Sequence, residues 1–148
     1  MNIALANDHA GVDLKNALIE HLEKAGHQTM NFGTDTADSV DYPDYALKVA
    51  QAVAAGSFDR GIIICSTGIG VSVVANKVNG IRAANVTDEI QAERASIDNN
   101  ANVLCLGAHV VAIPKAMRLV DVYLSNAFAN DGRHLRRVNK INALDNKT

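Results

Sequence analysis

The spacing of apolar residues along the chain alternates between two patterns, one typical of buried strands and one typical of helices. Residues 61–64 form a continuous apolar run rich in β-branched side chains, which predicts a strand buried on both faces and ending at Cys65. Shorter apolar runs predict four further strands, at residues 2–6, 28–32, 81–86 and 102–106.

Between the strands, apolar residues recur every three or four positions, as they do on the buried face of a helix. Leu14, Leu18 and Leu22 form such a face, and Gly26 ends this first helix as a C-cap. The same spacing predicts further helices at residues 45–55, 71–78, 88 onward, 114–128 and 133–144, the third of them capped by Thr87.

Strands that alternate with helices predict an α/β fold, a three-layer sandwich with a Rossmann-like, five-stranded parallel sheet and helices on both faces. With 148 residues, no internal repeat and no linker, the chain is expected to form one domain, residues 1–148. Ligands of such sheets bind beyond the carboxyl ends of the strands, where the direction of winding reverses. Polar turns follow the first and third strands, so we predict the strand order 2-1-3-4-5, which makes these two strands neighbours.

The composition narrows the classes of partner. A net charge of −2 argues against nucleic-acid binding, which needs a basic surface to neutralise phosphates. Cys65 and Cys105 lie in apolar runs without metal-ligand spacing, so we expect a cytoplasmic protein with reduced thiols and no metal site. No segment is long and apolar enough to span a membrane, and the N-terminus lacks the pattern of a secretion signal. Nucleic acid and membrane are therefore not expected as partners.

The turn after the third strand, from Cys65 to Gly70, carries the strongest candidate chemistry. A strand that ends in a glycine-rich turn and leads into a helix directs several backbone N–H groups, and the positive end of the helix dipole, at one point. The Cys65 thiol lies beside that point, where a thiolate is favoured. A base or nucleophile next to a cradle for negative charge is a catalytic arrangement, and the Asp8-His9 turn is expected to join it.

Other interpretations of this glycine turn compete with the catalytic one. A dinucleotide-binding fingerprint needs a third glycine, and a cysteine phosphatase needs an arginine six residues after the cysteine, where this chain has Val71. A flavin-phosphate loop stays open, although the chain has few aromatic residues to hold a flavin ring. A buried, inert thiol is favoured roughly two to one for an isolated core cysteine. The adjoining glycines and the second polar turn reverse that preference.

Seven short motifs, in this order, resemble those of one enzyme family. They are Asn7-Asp8-His9-Ala10-Gly11, Asp41-Tyr42-Pro43-Asp44, Cys65-Ser66-Thr67-Gly68-Ile69-Gly70, Ala75-Asn76-Lys77-Val78, Gly80-Ile81-Arg82-Ala83, Asn99 with Asn102-Val103, and Gly132-Arg133-His134 with Arg137. Over nearly its whole length the chain resembles the ribose-5-phosphate isomerase B family, whose relatives include the galactose-6-phosphate isomerase subunits.

The resemblance implies isomerisation of a sugar phosphate between aldose and ketose through an enediolate, without metal or cofactor. It implies a homodimer or homotetramer in which subunits share each site and the C-terminal helix takes part in dimerisation. Cys65 would move the proton, with Thr67 and Asp98 as further catalytic residues. Substrate-binding residues would be Asp8, His9, Asp41, Tyr42, Ser66, Gly68, Gly70 and Asn99, and phosphate-binding residues His9, His109, Arg133, His134 and Arg137, the three residues of the last helix coming from the partner subunit.

The last helix also has a simpler interpretation. Arg133 and Arg137 lie one helical turn apart and can converge on one phosphate, but a solvated basic face would show the same spacing. The apolar residues Leu135, Val138 and Ile141 favour a packed subunit contact. A non-catalytic homologue that only binds a sugar phosphate is the alternative function, and the intact Cys65 turn favours the enzyme.

Three positions depart from the family pattern. Asp98 occupies the place of a histidine credited with opening the sugar ring, and His109 the place of an arginine. Ser66 replaces the usual glycine after the cysteine. Tetrose and tetrulose phosphates cannot close a ring when the terminal hydroxyl is phosphorylated, so these changes favour such an open-chain substrate over ribose 5-phosphate.

Overall fold

In the computed structural model, which describes residues 1–146, five strands form one all-parallel sheet. The strands are β1 (Asn2–Asn7), β2 (Gln28–Asn31), β3 (Arg60–Cys65), β4 (Ala83–Asn85) and β5 (Val103–Gly107). The predicted α/β fold with a parallel, five-stranded sheet is confirmed, and β3 ends at Cys65 as the apolar run indicated.

The order of the strands is β2-β1-β3-β5-β4, so the predicted order 2-1-3-4-5 is wrong for its last two strands. The burial of the two strands explains the difference. All five residues of β5 are buried, as a central strand requires, whereas β4 pairs only three residues and is half-buried, as an edge strand can be. The predicted neighbourhood of β1 and β3 is confirmed, with Asn7 level with Ile64.

Six helices cover the sheet: α1 (Val12–Lys24), α2 (Tyr42–Ala54), α3 (Ile69–Ala75), α4 (Glu89–Ile97), α5 (Ile113–Ser125) and α6 (Gly132–Asn142). Side chains of β3 alternate between the two faces. Ile62 and Ile64 pack with α1, α4 and α5, whereas Ile63 and Cys65 pack with α2 and α3. This produces the predicted three layers.

Two helix starts differ from the sequence prediction for local reasons. The second helix begins at Tyr42 rather than at residue 45, because Pro43 falls in the first turn, where its missing N–H removes no hydrogen bond. The fourth helix is capped by Asp88 rather than by Thr87, since Asp88 Oδ1 accepts the Gln91 amide at 2.8 Å. The earlier start of α2 brings Tyr42 onto a helix that faces the glycine turn.

The last helix, α6, packs differently from the others. Val138 is its one buried residue within the described chain, and its three arginines, Arg133, Arg136 and Arg137, are all exposed. The segment that leads into α6 is fixed by the Ala129 amide, which donates to the Ile97 carbonyl at 3.1 Å. The helix therefore starts beside the end of α4, at the edge of the sheet where β5 begins.

Candidate functional site

At the carboxyl end of β3 the Cys65 side chain is held by the turn that follows it. Cys65 is 4% exposed, and the Gly68 amide donates to its Sγ at 3.1 Å. Gly68 has φ of +78°, a conformation that glycine adopts without strain and that turns its amide back toward the sulfur. The glycine at this position therefore fixes where the sulfur lies.

The next strand, β5, supports the same turn from the side. The Ala108 amide donates to the Cys65 carbonyl at 2.8 Å, and the His109 amide to the Ser66 carbonyl at 3.0 Å. Gly107 lies so close to the turn that an added Cβ would be 2.6 Å from the Thr67 carbonyl carbon. The glycine turn is thus packed against the backbone on one side and open on the other.

The amides of the turn divide into two groups. Those of Gly68 and Ile69 are occupied, the first by Cys65 Sγ and the second by Thr67 Oγ1 at 3.2 Å. Within residues 1–146, the amides of Ser66, Thr67 and Gly70 make no hydrogen bond to a protein acceptor. Three donors next to a thiol can stabilise an oxygen that becomes negative during a reaction.

The Asp8-His9 turn lies beside the Cys65 turn, as the adjacency of β1 and β3 requires. Asp8 is 6% exposed, its amide donates to the Ile64 carbonyl at 3.1 Å, and its Oδ1 accepts the Ala10 amide at 2.9 Å. His9 Nδ1 accepts the Val40 amide at 3.2 Å. A ring nitrogen that accepts a backbone N–H carries no proton, so the neutral ring of His9 presents Nε2–H as a donor.

The segment between β2 and α2 brings Asp41 and Tyr42 to this edge. The ring of Tyr42 lies against Gly70, where an added Cβ would be 2.6 Å from Tyr42 Cζ. Asp41 directly precedes α2 and is exposed. His109, which follows β5, is exposed at the same edge and lines a cavity together with Asp13.

Asp98 and Asn99 lie at the opposite edge of the sheet. They follow α4 and precede β5, and the carbonyl of Asn102 accepts the Gly61 amide at 2.9 Å. Cys65 lies four positions after Gly61 on β3, which is about 13 Å along a parallel strand. The turn that carries Asp98 and Asn99 therefore lies at the far end of β3 from the Cys65 of its own chain.

The predicted phosphate residues of α6 share this opposite edge. His134 Nε2 lies 3.7 Å from Asp98 Oδ1, and Arg94 Nη1 lies at the same distance from that oxygen. Asp98 Oδ1 is enclosed and, within the described chain, has no hydrogen-bond partner. Arg133 and Arg137 are exposed and form no ion pair within residues 1–146.

The predicted site residues thus form two sets on one chain. The carboxyl-edge set comprises Asp8, His9, Asp41, Tyr42, Cys65, Ser66, Thr67, Gly68, Gly70 and His109. The amino-edge set comprises Asp98, Asn99, Arg133, His134 and Arg137. Each set is assembled within the chain, and the sheet separates one from the other.

Two side chains that support these sets, Lys15 and Arg82, were given no role in the sequence analysis. Lys15 is fully buried, and its Nζ donates to the Thr34 carbonyl at 2.8 Å and to Asp35 at 2.5 Å, which fixes the start of the segment leading to Asp41. Arg82 donates to the carbonyl of Asn100, in the turn after α4, and to Oδ1 of Asn142, at the end of α6. A lysine on the apolar side of a helix, next to Leu14, was a signal for the first.

The described residues contain no group of three or more His, Cys, Asp or Glu side chains arranged to hold a metal ion. No helix among them has the length and hydropathy needed to cross a membrane. Cys105, the other cysteine, is fully buried, and burial raises the pKa of its thiol far above the usual range.

Comparisons with known proteins agree on one family. The family model described as ribose/galactose isomerase matches residues 3–141. The structure of Clostridium thermocellum ribose-5-phosphate isomerase B superposes with a TM-score of 0.95 at 46% identity, covering 98% of this chain and 97% of that one. Mycoplasma genitalium ribose-5-phosphate isomerase B with bound ribulose-5-phosphate gives 0.94 at 41% identity, covering 99% and 97%. The D-erythrulose-4-phosphate isomerase of Pectobacterium atrosepticum is 41% identical over 133 residues, 89% of this chain and 88% of that protein.

Proposed function

This chain belongs to the ribose/galactose isomerase family and is a sugar-phosphate isomerase, and we propose that it interconverts an aldose and a ketose phosphate through an enediolate, with Cys65 as the base. The observation that carries the proposal is the enclosed Cys65 sulfur beside three unoccupied turn amides. A base next to preorganised N–H donors suits the removal of a proton adjacent to a carbonyl group.

In this mechanism the Cys65 thiolate takes the proton from the carbon next to the carbonyl carbon. The electron pair of the broken C–H bond forms the carbon–carbon double bond of the enediolate, and the carbonyl oxygen becomes negative. The amides of Ser66, Thr67 and Gly70 stabilise that oxygen where its charge forms. The hydroxyl group on the carbon that lost its hydrogen then gives its own proton to the negative oxygen and becomes the new carbonyl group. Cys65 returns its proton to the former carbonyl carbon, which completes the isomerisation.

The Thr67 hydroxyl is a further donor for this oxygen, in addition to the three amides. Its Oγ1 already accepts the Ile69 amide, so its own proton is left for a substrate oxygen. Asp8 and, from a second subunit, Asn99 would bind sugar hydroxyl groups, with Asp41 and Tyr42 beside them. His9 would donate its Nε2–H to the phosphate, which a neutral imidazole with this tautomer can do.

We propose that a second copy of the chain completes each site. The amino-edge set of one subunit would face the carboxyl-edge set of another, in a homodimer or in a homotetramer built from such pairs. Arg133 and Arg137 are exposed without an ion-pair partner in the described chain, so both are available to a phosphate outside their own subunit. Exposed apolar side chains on the same helix, Leu135 and Ile141, support a packed subunit contact there.

The substrate we propose is a four-carbon sugar phosphate, a tetrose or tetrulose 4-phosphate. Asp98 is 31% exposed in its side chain and has Arg94 and His134 beside it, surroundings that differ from the apolar enclosure of proton-donating carboxylic acids. It is therefore poorly suited to protonate a ring oxygen. His109 provides no permanently charged, forked donor of the kind that an arginine would offer to phosphate. A sugar phosphate that is open-chain from the outset needs no ring-opening acid.

The substrate proposal is tested by comparing kcat/KM for erythrulose 4-phosphate, ribose 5-phosphate and a hexose 6-phosphate, in wild type and in Asp98→His. We expect the tetrulose phosphate to be preferred and Asp98→His to raise activity on ribose 5-phosphate. Asp121→His, a change of the same type at an exposed position of α5, is the control and should raise activity on none of the substrates. A wide wild-type preference for ribose 5-phosphate, with no gain from Asp98→His, would contradict the choice of substrate.

The isomerase activity is tested separately by exchange of solvent deuterium into each sugar phosphate, followed by NMR. Exchange at the carbon next to the carbonyl is expected with at least one tetrose, pentose or hexose phosphate. If the protein binds sugar phosphates but catalyses no exchange with any of them, the chain is a non-catalytic binder.

A further inference from the structure

The amino-edge set consists of two segments that are distant in sequence. The turn with Asp98 and Asn99 follows α4, whereas the phosphate residues lie about 35 positions later on α6. A shared site requires both segments to reach the partner in a fixed relative position, because small displacements of binding groups lower activity strongly.

One side chain, Arg82, joins these two segments. Its Nε donates to the Asn100 carbonyl at 2.8 Å, and its Nη1 donates to Asn142 Oδ1, at the end of α6, at 3.0 Å. The two donors of one planar guanidinium fix the turn and the helix relative to each other, as no single-point donor could. Burial lowers the pKa of Arg82 and the charge of Asp145 acts in the opposite direction, so these hydrogen bonds form in a partly desolvated position.

The turn itself has a conformation that depends on such support. Asn100 has φ of +48°, the left-handed region that asparagine tolerates and most residues avoid. The backbone of Arg82 also contacts Asn102, two positions after Asn100: the Arg82 amide donates to Asn102 Oδ1 at 2.8 Å, and the Arg82 carbonyl accepts the Asn102 amide at 3.0 Å. Asn102 Nδ2 donates to the Gly80 carbonyl at 2.8 Å.

The far end of α6 is held by the same loop before β4. Asp145 Oδ2 accepts the Gly80 amide at 2.9 Å, next to the contact between Arg82 and Asn142. The loop of residues 80–82 is therefore the common support for the turn and the helix.

We propose that Arg82 is a positioning residue for the active site of the partner subunit: it sets the distance between Asn99 and the arginines of α6. This inference rests on the shared site proposed above. It separates Arg82 from the chemistry of its own chain, which takes place at the other edge of the sheet.

The test begins with Arg82→Met, which keeps a long side chain but removes both donors. We expect KM for the sugar phosphate to rise and kcat/KM to fall about 10- to 100-fold, with kcat within a few-fold of wild type. Arg60→Met is the matched control, since Arg60 is also half-buried at this edge but its Nη1 donates to its neighbour, the Asp59 carbonyl. It should leave KM unchanged. Arg82→Lys retains the charge without the two-point contact and should resemble Arg82→Met.

Hybrid dimers then show which site Arg82 serves. Two differently tagged chains are co-expressed and the hybrids purified through both tags. In a hybrid of Arg82→Met with Cys65→Ala, both substitutions fall in the same site, so the other site should be intact and have wild-type KM. In a hybrid of Arg82→Met with Arg137→Ala, each site contains one amino-edge substitution, so no site should be intact. The reference is the hybrid of Cys65→Ala with Arg137→Ala, whose activity depends only on whether two subunits share each site.

The outcomes separate this inference from the function on which it rests. If the reference hybrid regains activity and the hybrid of Arg82→Met with Cys65→Ala does not, the role of Arg82 is overturned and the shared site stands. If the reference hybrid stays inactive, the shared site is wrong and the inference falls with it. Where Arg82→Met does not fold, Asn142→Ala removes the exposed acceptor on α6 and should give the same hybrid pattern with a smaller rise in KM.

Discussion

The two edges of the sheet carry different kinds of functional surface. At the carboxyl edge the side chains of Asp8 and Cys65 are enclosed, at 6% and 4% exposed, and each already accepts a backbone N–H. At the amino edge Arg133 and Arg137 extend into solvent from a helix with a single buried residue in the described chain. The carboxyl edge therefore resembles a preorganised reaction centre, and the amino edge a charged surface that becomes a site on contact with another molecule.

The difference between the two edges predicts which kinetic parameter a substitution at each edge should change. Donors that stabilise a forming charge must be in place before the reaction, so they are built into strand ends and tight turns. Charged groups that bind phosphate contact a part of the substrate that does not react, so they stabilise the bound substrate and the transition state alike. Substitutions at the carboxyl edge should therefore lower kcat, and those at the amino edge should raise KM.

The largest effect is expected for Cys65→Ala. Loss of the group that moves the proton should lower kcat by about 10²- to 10⁴-fold, while binding of the sugar phosphate and the melting temperature change little. Steady-state kinetics and calorimetric titration measure the two effects. Cys105→Ala is the control, because it removes a second buried thiol of the same core cluster, one that lies within β5 rather than at a strand end, and it should be catalytically neutral. Turnover of Cys65→Ala within a few-fold of wild type would remove Cys65 from the mechanism.

Arg137→Ala should give the next largest effect, and of the other kind. Loss of a charge-assisted hydrogen bond to phosphate is expected to lower kcat/KM by about 10- to 100-fold, mostly through KM. Arg136→Ala removes an adjacent exposed arginine outside the predicted set and should have little effect. An equal loss for both variants would show that α6 contributes only general positive charge.

Gly68→Ala tests whether the Cys65 turn is as exactly built as its geometry indicates. The new Cβ would be strained at φ of +78° and would lie 2.3 Å from Asn85 Oδ1, so both stability and kcat should fall. Gly56→Ala is a close control, with φ of +77° and nothing within 4 Å of its Cβ. Both variants should lose about 1–2 kcal/mol of unfolding free energy from backbone strain. Unchanged kcat in Gly68→Ala would mean that the turn adapts.

The smallest effect is expected for Asp35→Asn, which weakens the support of the segment that leads to Tyr42. The hydrogen bond from Lys15, then that from Asn31 and the charge of Lys15, hold the pKa of Asp35 below its usual value. A lowered pKa in the folded state stabilises the protein above the unfolded-state value, about 3.9, and this stabilisation is lost as pH falls through the lower value. The melting temperature of Asp35→Asn should therefore lie below that of wild type at neutral pH, and the gap should narrow in acid.

Glu20→Gln provides the comparison for that experiment. Lys24 likewise lowers the pKa of Glu20, but this pair lies on the exposed face of α1, away from the segment of residues 33–41. Asp35→Asn should raise KM slightly and Glu20→Gln should not. A gap between wild type and Asp35→Asn that stays constant down to pH 3 would contradict the role of the ion pair.

Part of this architecture could be predicted from the sequence. The apolar run of β3 and the glycines after Cys65 have strong local causes, so the strand, its end and the turn were predicted correctly. The positions of β4 and β5 were not, because short strands with three or five residues leave the order of a sheet to tertiary packing.

The separation of the site residues into two edges could also be predicted in part from the sequence. A segment between a helix and the next parallel strand must lie at the amino edge, so the place of Asp98 and Asn99 follows from the order of elements alone. The contacts of Arg82 could not be predicted in this way, since they join residues 18 and 60 positions apart through side-chain geometry.

The central claim, that each site combines the carboxyl edge of one subunit with the amino edge of another, is tested most directly by the hybrid of Cys65→Ala with Arg137→Ala. Cys65→Ala should be almost inactive at any substrate concentration, and Arg137→Ala should be active only with a raised KM. A purified hybrid dimer should have activity at wild-type KM, because one of its sites contains neither substitution. A hybrid that is shown to form but has only the raised KM of Arg137→Ala, or no activity, would contradict the claim.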